Sequence, residues 1–266
     1  MDDSLHSLVV YAVVQAGIWF VLSLPRWSPL SWVVSRFVNS VPNGVKNVHL
    51  NTNNQAVATG LPPYETEEEA LTFHMFWYTC LVHHSLGAAA CLAGYAFASP
   101  LFFRVGLSFE IGEGVQHGLQ MLHALFYPPG TPPIAYFPKP AWVVLALHHS
   151  LGLVVGSVAH IHLSGHADVH LLSALLLFAT VPGYFNLPLM AFGDVTGDGA
   201  VAKVNIAVQI FSNCFALYVR VVCFFPVVHR LLDVIYTEQA FRALPRSAPR
   251  PPLTSQPPSP PPPPDG

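Results

Sequence analysis

The chain has 266 residues, 52% of them apolar and only 9% charged, and its mean hydropathy is +0.47. A water-facing surface normally draws on about 25% charged residues, so this composition excludes a soluble globular enzyme and a coiled coil. Eleven Lys and Arg against fourteen Asp and Glu give a net charge of −3, too weak a field to gather polyanions, and no nucleic-acid partner is expected.

A helix needs about 20 apolar residues to cross the roughly 30 Å hydrocarbon core of a bilayer. Taken in chain order, segments 7–24, 71–97, 101–127, 141–161, 169–192 and 204–232 have that character. They are too long and too continuously apolar for barrel strands. The expected fold is therefore all-α, a polytopic transmembrane helical bundle of about six spans. Residues 1–25 read as an N-terminal transmembrane anchor, because Met1-Asp2-Asp3-Ser4 lacks the positive start of a cleaved signal peptide. Residues 26–70 read as a polar, Asn-rich loop in which 29–41, short and holding Arg36, is a possible interfacial helix. The loop ends in Glu65-Thr66-Glu67-Glu68-Glu69, acidic residues placed where they suit the positive end of the next helix.

The segment 233–266 is a Pro-rich disordered tail ending Pro-Pro-Ser-Pro-Pro-Pro-Pro-Pro-Asp-Gly. It is of polyproline-II character and cannot bury a core. It reads first as a plain solvated tail, with an SH3 or WW module as a possible partner. Cys80, Cys91, Cys214 and Cys223 all fall inside spans without a CxxC pair, so no disulfide framework is expected. Arg230, Arg242, Arg246 and Arg250 favour a cytosolic C-terminus, while Arg26, Arg36 and Lys46 in the first loop pull the other way.

Ionisable residues at membrane depth are costly and mark sites by default. The third segment contains Glu110, Glu113, His117 and Gln120, which at about 100° per residue share a face roughly 80° wide. Lipid would not tolerate that stripe, so it faces the bundle interior and can hold a proton, a cation or a lipid head group. A duplicated pattern accompanies it: Trp77-x5-His83-His84-Ser85-Leu86-Gly87 recurs 65 residues later as Trp142-x5-His148-His149-Ser150-Leu151-Gly152. Two helices of the same orientation, separated by one crossing, would carry such a repeat. Adjacent histidines lie about 100° apart, so one of each pair points at a site and the other packs or orients it. Gly152 and Gly156 form a G-x-x-x-G step for close helix approach.

Two further features read as bland. His160, His162, His166 and His170 surround the turn after the fourth segment, with Gly165 interrupting the four-residue spacing a shared metal requires. They form a polar interfacial cluster. Asp194-Val-Thr196-Gly-Asp198-Gly199 imitates the first half of a calcium loop, but Asn205 stands where a bidentate Glu is needed.

Read in order, these motifs are similar to those of the TLC-domain family, which contains ceramide synthases and small lipid-homeostasis proteins. The elements that carry the resemblance are Cys80-Leu-Val-His83-His84-Ser85-Leu86, then Gly106-Leu-Ser-Phe-Glu110-Ile-Gly-Glu113, then His148-His149. Val181-Pro182-Gly-Tyr-Phe185-Asn186 and Phe215-Ala-Leu-Tyr218-Val-Arg220-Val complete it. The likeness covers 71–232. Nothing after His148-His149 matches the two aspartates and arginine of the synthases, and no carboxylate stands shortly before Pro182. The resemblance thus implies a small non-synthase member, multi-pass and in the endoplasmic reticulum, acting in membrane lipid homeostasis by binding or modifying a lipid within the bundle.

On that reading, any acyltransferase-like catalysis falls to His148 and His149, since imidazole titrates near neutrality and suits a general base. The lipid would be bound by His84, Glu110, Glu113, His117, Asn186 and Arg220, with Arg220 meeting a head-group phosphate or Glu113. No cofactor and no metal ligand is assigned. Two alternatives stand beside it: a His-rich metal-dependent membrane oxidoreductase built on the same Glu and His residues, and a proton-coupled transporter, against which the lack of an inverted repeat counts.

Overall fold

A computed structural model describes residues 3–23, 28–60, 62–126 and 139–243. Of the segment 233–266 expected as a disordered tail, residues 233–243 are helical, and the rest lies outside the described residues, as do the side chains of Gln120 and Trp142. The architecture is all-α, with no strand among the described residues. In chain order the helices are α1 (Asp3–Ser23), α2 (Pro29–Ser40), α3 (Gly44–Ala58), α4 (Glu67–Ala96), α5 (Pro100–Phe126) and α6 (Lys139–His162). Then follow α7 (Ala167–Phe178), a 3-10 turn (Val181–Phe185), α8 (Asn186–Phe192), α9 (Ala200–Leu217), a π-helical turn (Tyr218–Cys223) and α10 (Phe224–Ala243). Among the described residues the six apolar segments are mostly helical, the fifth being interrupted by the turn and 3-10 piece between α7 and α8.

Two continuous helical stretches, Ala167–Phe192 and Ala200–Val234, are long and apolar enough to cross a membrane. Among the other helices, α4 carries the His83-His84 pair and α5 carries Arg104, Glu110 and Glu113, and these polar residues dilute their apolarity. The acidic run before α4 is a capping box: Thr66 Oγ1 accepts from Glu69 N at 3.2 Å while Glu69 Oε2 accepts from Thr66 N at 3.2 Å. Two of the orphan N–H groups of the helix start are satisfied in this way.

Within the polar connection, α2 falls on the segment 29–41 that read as a possible helix, whereas α3 forms where a loop was expected and lies across α4 and α8. Three of the asparagines on α3, Asn47, Asn51 and Asn53, bind backbone. Asn51 is fully buried; its Nδ2 donates to Met190 O at 2.9 Å and Gly193 O at 2.7 Å, and its Oδ1 accepts from Val195 N at 2.9 Å. The segment is thus tied to the place where α8 stops, and its polarity serves to satisfy helix-end groups.

Helix α5 is the centre of the bundle, with α4, α1 and α6 packed around it. Contacts run antiparallel on both sides. Gly94 approaches Phe103 and Gly87 approaches Gly106, while on the other side Gly156 meets Leu107 and Ile111, Leu153 meets Gly114 and His149 meets His117. Hence α4 and α6 share a direction on either side of α5, as the repeated Trp-x5-His-His pattern requires. Two of the three apolar cores among the described residues bracket the middle of α4, the third joining Ala56, Tyr64, Ala70 and Phe73. One joins Leu8, Ala88, Cys91, Phe103, Leu107 and Leu177; the other joins Val38, Val48, Met75, Tyr78, Leu187 and Met190. On α4 the first core begins at Ala88 and the second ends at Tyr78, so the His83-His84 pair sits between them. Outward faces are apolar instead: Val9, Val13 and Ile18 on α1, and Val143, Leu147, Leu151 and Val155 on α6 are exposed.

Candidate functional site

The polar residues of α4, α5 and α6 converge midway along their helices. His83 is fully buried, with Nε2 3.2 Å from Glu110 Oε2 and Nδ1 3.0 Å from Glu113 Oε2. The second of these approaches lies off the hydrogen-bond direction, leaving Nδ1 without a hydrogen-bond partner. Glu113 Oε1 lies 3.9 Å from His117 Nε2, and His117 Nδ1 meets His149 Nε2 at 2.9 Å. Glu113, His117 and His149 are all buried. His84 Nδ1 donates to the Cys80 carbonyl at 2.8 Å; since a carbonyl only accepts, its Nε2 carries the lone pair. Trp19 of α1 closes the assembly edge-on, its ring centroid 5.6 Å from that of His83.

Three triads in this cluster bring one potential ligand atom from each residue within 4.8 Å of the others: His83, His84 and Glu110; Glu110, His148 and His149; and Glu113, His117 and His149. They overlap at Glu110 and His149. Among the described residues, the ion-pair partners of both carboxylates are histidines rather than Lys or Arg.

The structure thus assembles His84, Glu110, Glu113, His117, His148 and His149, six of the residues singled out from sequence. It distinguishes within each pair. In the first, His83 rather than His84 stands between the carboxylates; in the second, His149 is buried and His148 is exposed. Asn186 and Arg220 are elsewhere. They line a cavity of about 390 Å³ together with Trp77, Tyr184, Gln209 and Asn213. Arg220 pairs with none of the described carboxylates, and the proposed contact with Glu113 is not made; Glu113 is taken up by His83 and His117. The two regions adjoin at Tyr184, which lines the cavity and places its hydroxyl 3.4 Å from His84 Nδ1.

Trp19, Tyr184 and the central place of His83 were not legible from spacing. The π-helical turn that carries Arg220 is a second such feature, a geometry that recurs where helices serve function. Of the histidines around the turn after α6, His160 and His170 have local partners. His160 Nε2 bonds Ser7 Oγ at 3.0 Å, while His170 donates through Nε2 to Ser164 O at 2.7 Å and stacks on Phe103. In the calcium-like loop, Thr196 donates to Asp194 through both its N–H and its hydroxyl, which holds that carboxyl below its usual range. Asn205 donates to Val195 O at 3.2 Å, so it caps the loop backbone.

No protein-family model, no curated protein and no solved structure matches the chain.

Proposed function

We propose that the chain is a multi-pass membrane protein that binds and modifies a membrane lipid, with the polar head in the cavity beside Arg220 and the reactive groups in the His/Glu cluster. The observation that carries this reading is the junction at Tyr184, through which a cavity lined by both apolar and polar side chains adjoins a buried set of carboxylates and imidazoles in helices whose outer faces are apolar. Inside-polar, outside-apolar helices are what a bilayer solvent selects, because intramembrane ionisable groups must turn inward. Six crossings follow if α1, α4, α5, α6, the α7–α8 stretch and the α9–α10 stretch each traverse the membrane. Their lengths support this: α1, the shortest, has 21 residues, about 30 Å at 1.5 Å per residue.

Arg220 is a cation on an otherwise apolar stretch, exposed to a cavity also lined by Asn186, Gln209 and Asn213. A phosphate or other anionic head supplies the acceptor that a guanidinium fork requires. His149, with His117 and Glu113 behind it, is the polarising set that acts on a hydroxyl or amine of the lipid. His84, beside the cavity residue Tyr184, and Glu110 complete it. The resemblance to the TLC-domain family points to the same substrate class and to the endoplasmic reticulum.

Quantitative lipidomics of cells lacking the protein tests the reading, with complementation by wild type, His149→Ala or Arg220→Gln. The expected outcome is one lipid class that shifts on deletion and recovers only with wild type. Full recovery with both variants, expressed at wild-type level, would overturn it.

A further inference from the structure

We propose that the His/Glu cluster is a binding site for divalent first-row transition-metal ions, held by Glu110 and Glu113 of α5, His83 and His84 of α4, and His149 of α6 with His117. Four observations support this. The first is charge: two carboxylates lie in the bundle interior without Lys or Arg partners among the described residues. Buried charges require pairing or a metal, and one divalent ion carries the charge that balances both. The second is spacing. His117 Nδ1 and His149 Nε2 are 2.9 Å apart, and two ligands at right angles, each about 2.0–2.1 Å from an ion, lie about 3 Å apart.

The third is the orientation of His84. Its Nδ1–H is fixed on the Cys80 carbonyl, which leaves Nε2 with the lone pair in a residue that stands in a triad with His83 and Glu110; metal-ligating histidines are characteristically held by such a bond through the other ring nitrogen. The fourth is unmet hydrogen bonding. His83 and His149 are 0% and 5% exposed, yet Nδ1 of each lacks a hydrogen-bond partner. Buried polar atoms are nearly always satisfied, and a metal ligated by one ring atom, with water or a substrate group on the other, supplies what these lack.

The donor set decides the metal class. Imidazole and carboxylate together suit zinc, iron, manganese or cobalt, and the absence of thiolate from the triads argues against soft copper(I) sites. The overlap of the triads at Glu110 and His149 makes one or two ions per chain the expected stoichiometry. Carboxylates and histidines projecting inward from neighbouring helices are a recurrent way for bundles to build such centres. This inference adds a metal to the lipid reading and holds or fails separately from it, since metal content needs no substrate.

The experiment is elemental analysis of the full chain purified in detergent and washed in chelator-treated buffer. One or two equivalents of a single first-row metal are expected. Glu113→Gln and His149→Ala are expected to lower metal content about tenfold or more, while His170→Gln, outside the cluster, retains it. A second measurement covers variants that fold poorly. Wild type stripped by a chelator is titrated with Co2+, and a visible absorption band that saturates at one or two equivalents is expected, together with a raised Tm. Folded wild type that carries no metal and shows neither the band nor the Tm rise would overturn the proposal, even if the lipid phenotype of His149→Ala stands.

Discussion

Asn51 shows how much can rest on one amide. It is fully buried on α3 and holds three backbone groups, two carbonyls and one N–H, at the end of α8. Truncation leaves those groups buried without partners, and each such loss costs about 1–3 kcal/mol. Asn51→Ala is therefore expected to destabilise the protein by about 3 kcal/mol or more, measured by denaturant or thermal unfolding in detergent. Asn47 makes a single part-buried bond, Nδ2 to Ala191 O at 2.9 Å, and Asn47→Ala is expected to cost about 1 kcal/mol. Equal losses in the two variants would contradict the assignment of Asn51 as the central tie. Nothing in the spacing of an Asn-rich stretch distinguishes these residues from solvated loop asparagines. The distinction depends on α8, some 140 positions away in the chain, presenting an open helix end.

At the scale of elements, close approach sets the site. A Cβ on Gly112 would lie 2.4 Å from Gln15 Cβ and 2.9 Å from Ala16 N, and one on Gly106 would lie 2.6 Å from Cys91 N. Backbone neighbours cannot swing aside, so Gly112→Ala forces α1 off α5 and loosens Trp19 from His83. A Tm drop is expected from it, with a simultaneous loss of bound metal. The link between α4 and α5 behaves oppositely. Ala98 sits at φ +49°, with Ser99 N donating to Gly94 O at 2.9 Å and Ala98 N to Tyr95 O at 3.3 Å, the bond pattern of a Schellman motif, where glycine is preferred. Ala98→Gly is expected to stabilise by about 1 kcal/mol. The same unfolding assay reads both, and a shared sign would sink the argument.

The glycines also explain which histidine of each pair faces inward. At about 100° per residue, Gly94 lies within about 20° of His83 on α4, and Gly156 within about 20° of His149 on α6. Both glycines face α5, so each histidine on the glycine meridian is drawn to the carboxylates. His84 and His148 fall off that line. The repeated motif is therefore used in two different phases.

Over the whole molecule, the arrangement of links fixes a topology. Arg104 NH2 donates to Ser164 Oγ at 3.1 Å, so the start of α5 and the turn before α7 share one end of the bundle. Asn54 Nδ2 donates to Thr196 Oγ1 at 2.9 Å, which puts α3 and the loop before α9 together. The apolar stretch Ala167–Phe192 separates Gly165 from Gly199, and a Cβ at either position meets nothing within 4 Å. Cysteines introduced there, in a background with the native cysteines replaced by Ser, are expected to react with an impermeant reagent from opposite sides of sealed vesicles. Labelling from the same side would contradict a crossing by that stretch.

Composition and periodicity by themselves determined the helical class, the places of six apolar helices, and the shared face of Glu110, Glu113 and His117, because each is a local property of a 3.6-residue repeat. The tertiary structure decided the rest. Packing angles chose His83 and His149 over their neighbours, turned the Asn-rich connection into helix, and set Arg220 on a cavity apart from Glu113. It also brought Trp19 and Tyr184, far away in the chain, against the cluster. These outcomes depend on which faces of distant helices meet, a rotation fixed by close glycine contacts between helices and not by the pattern along any one of them.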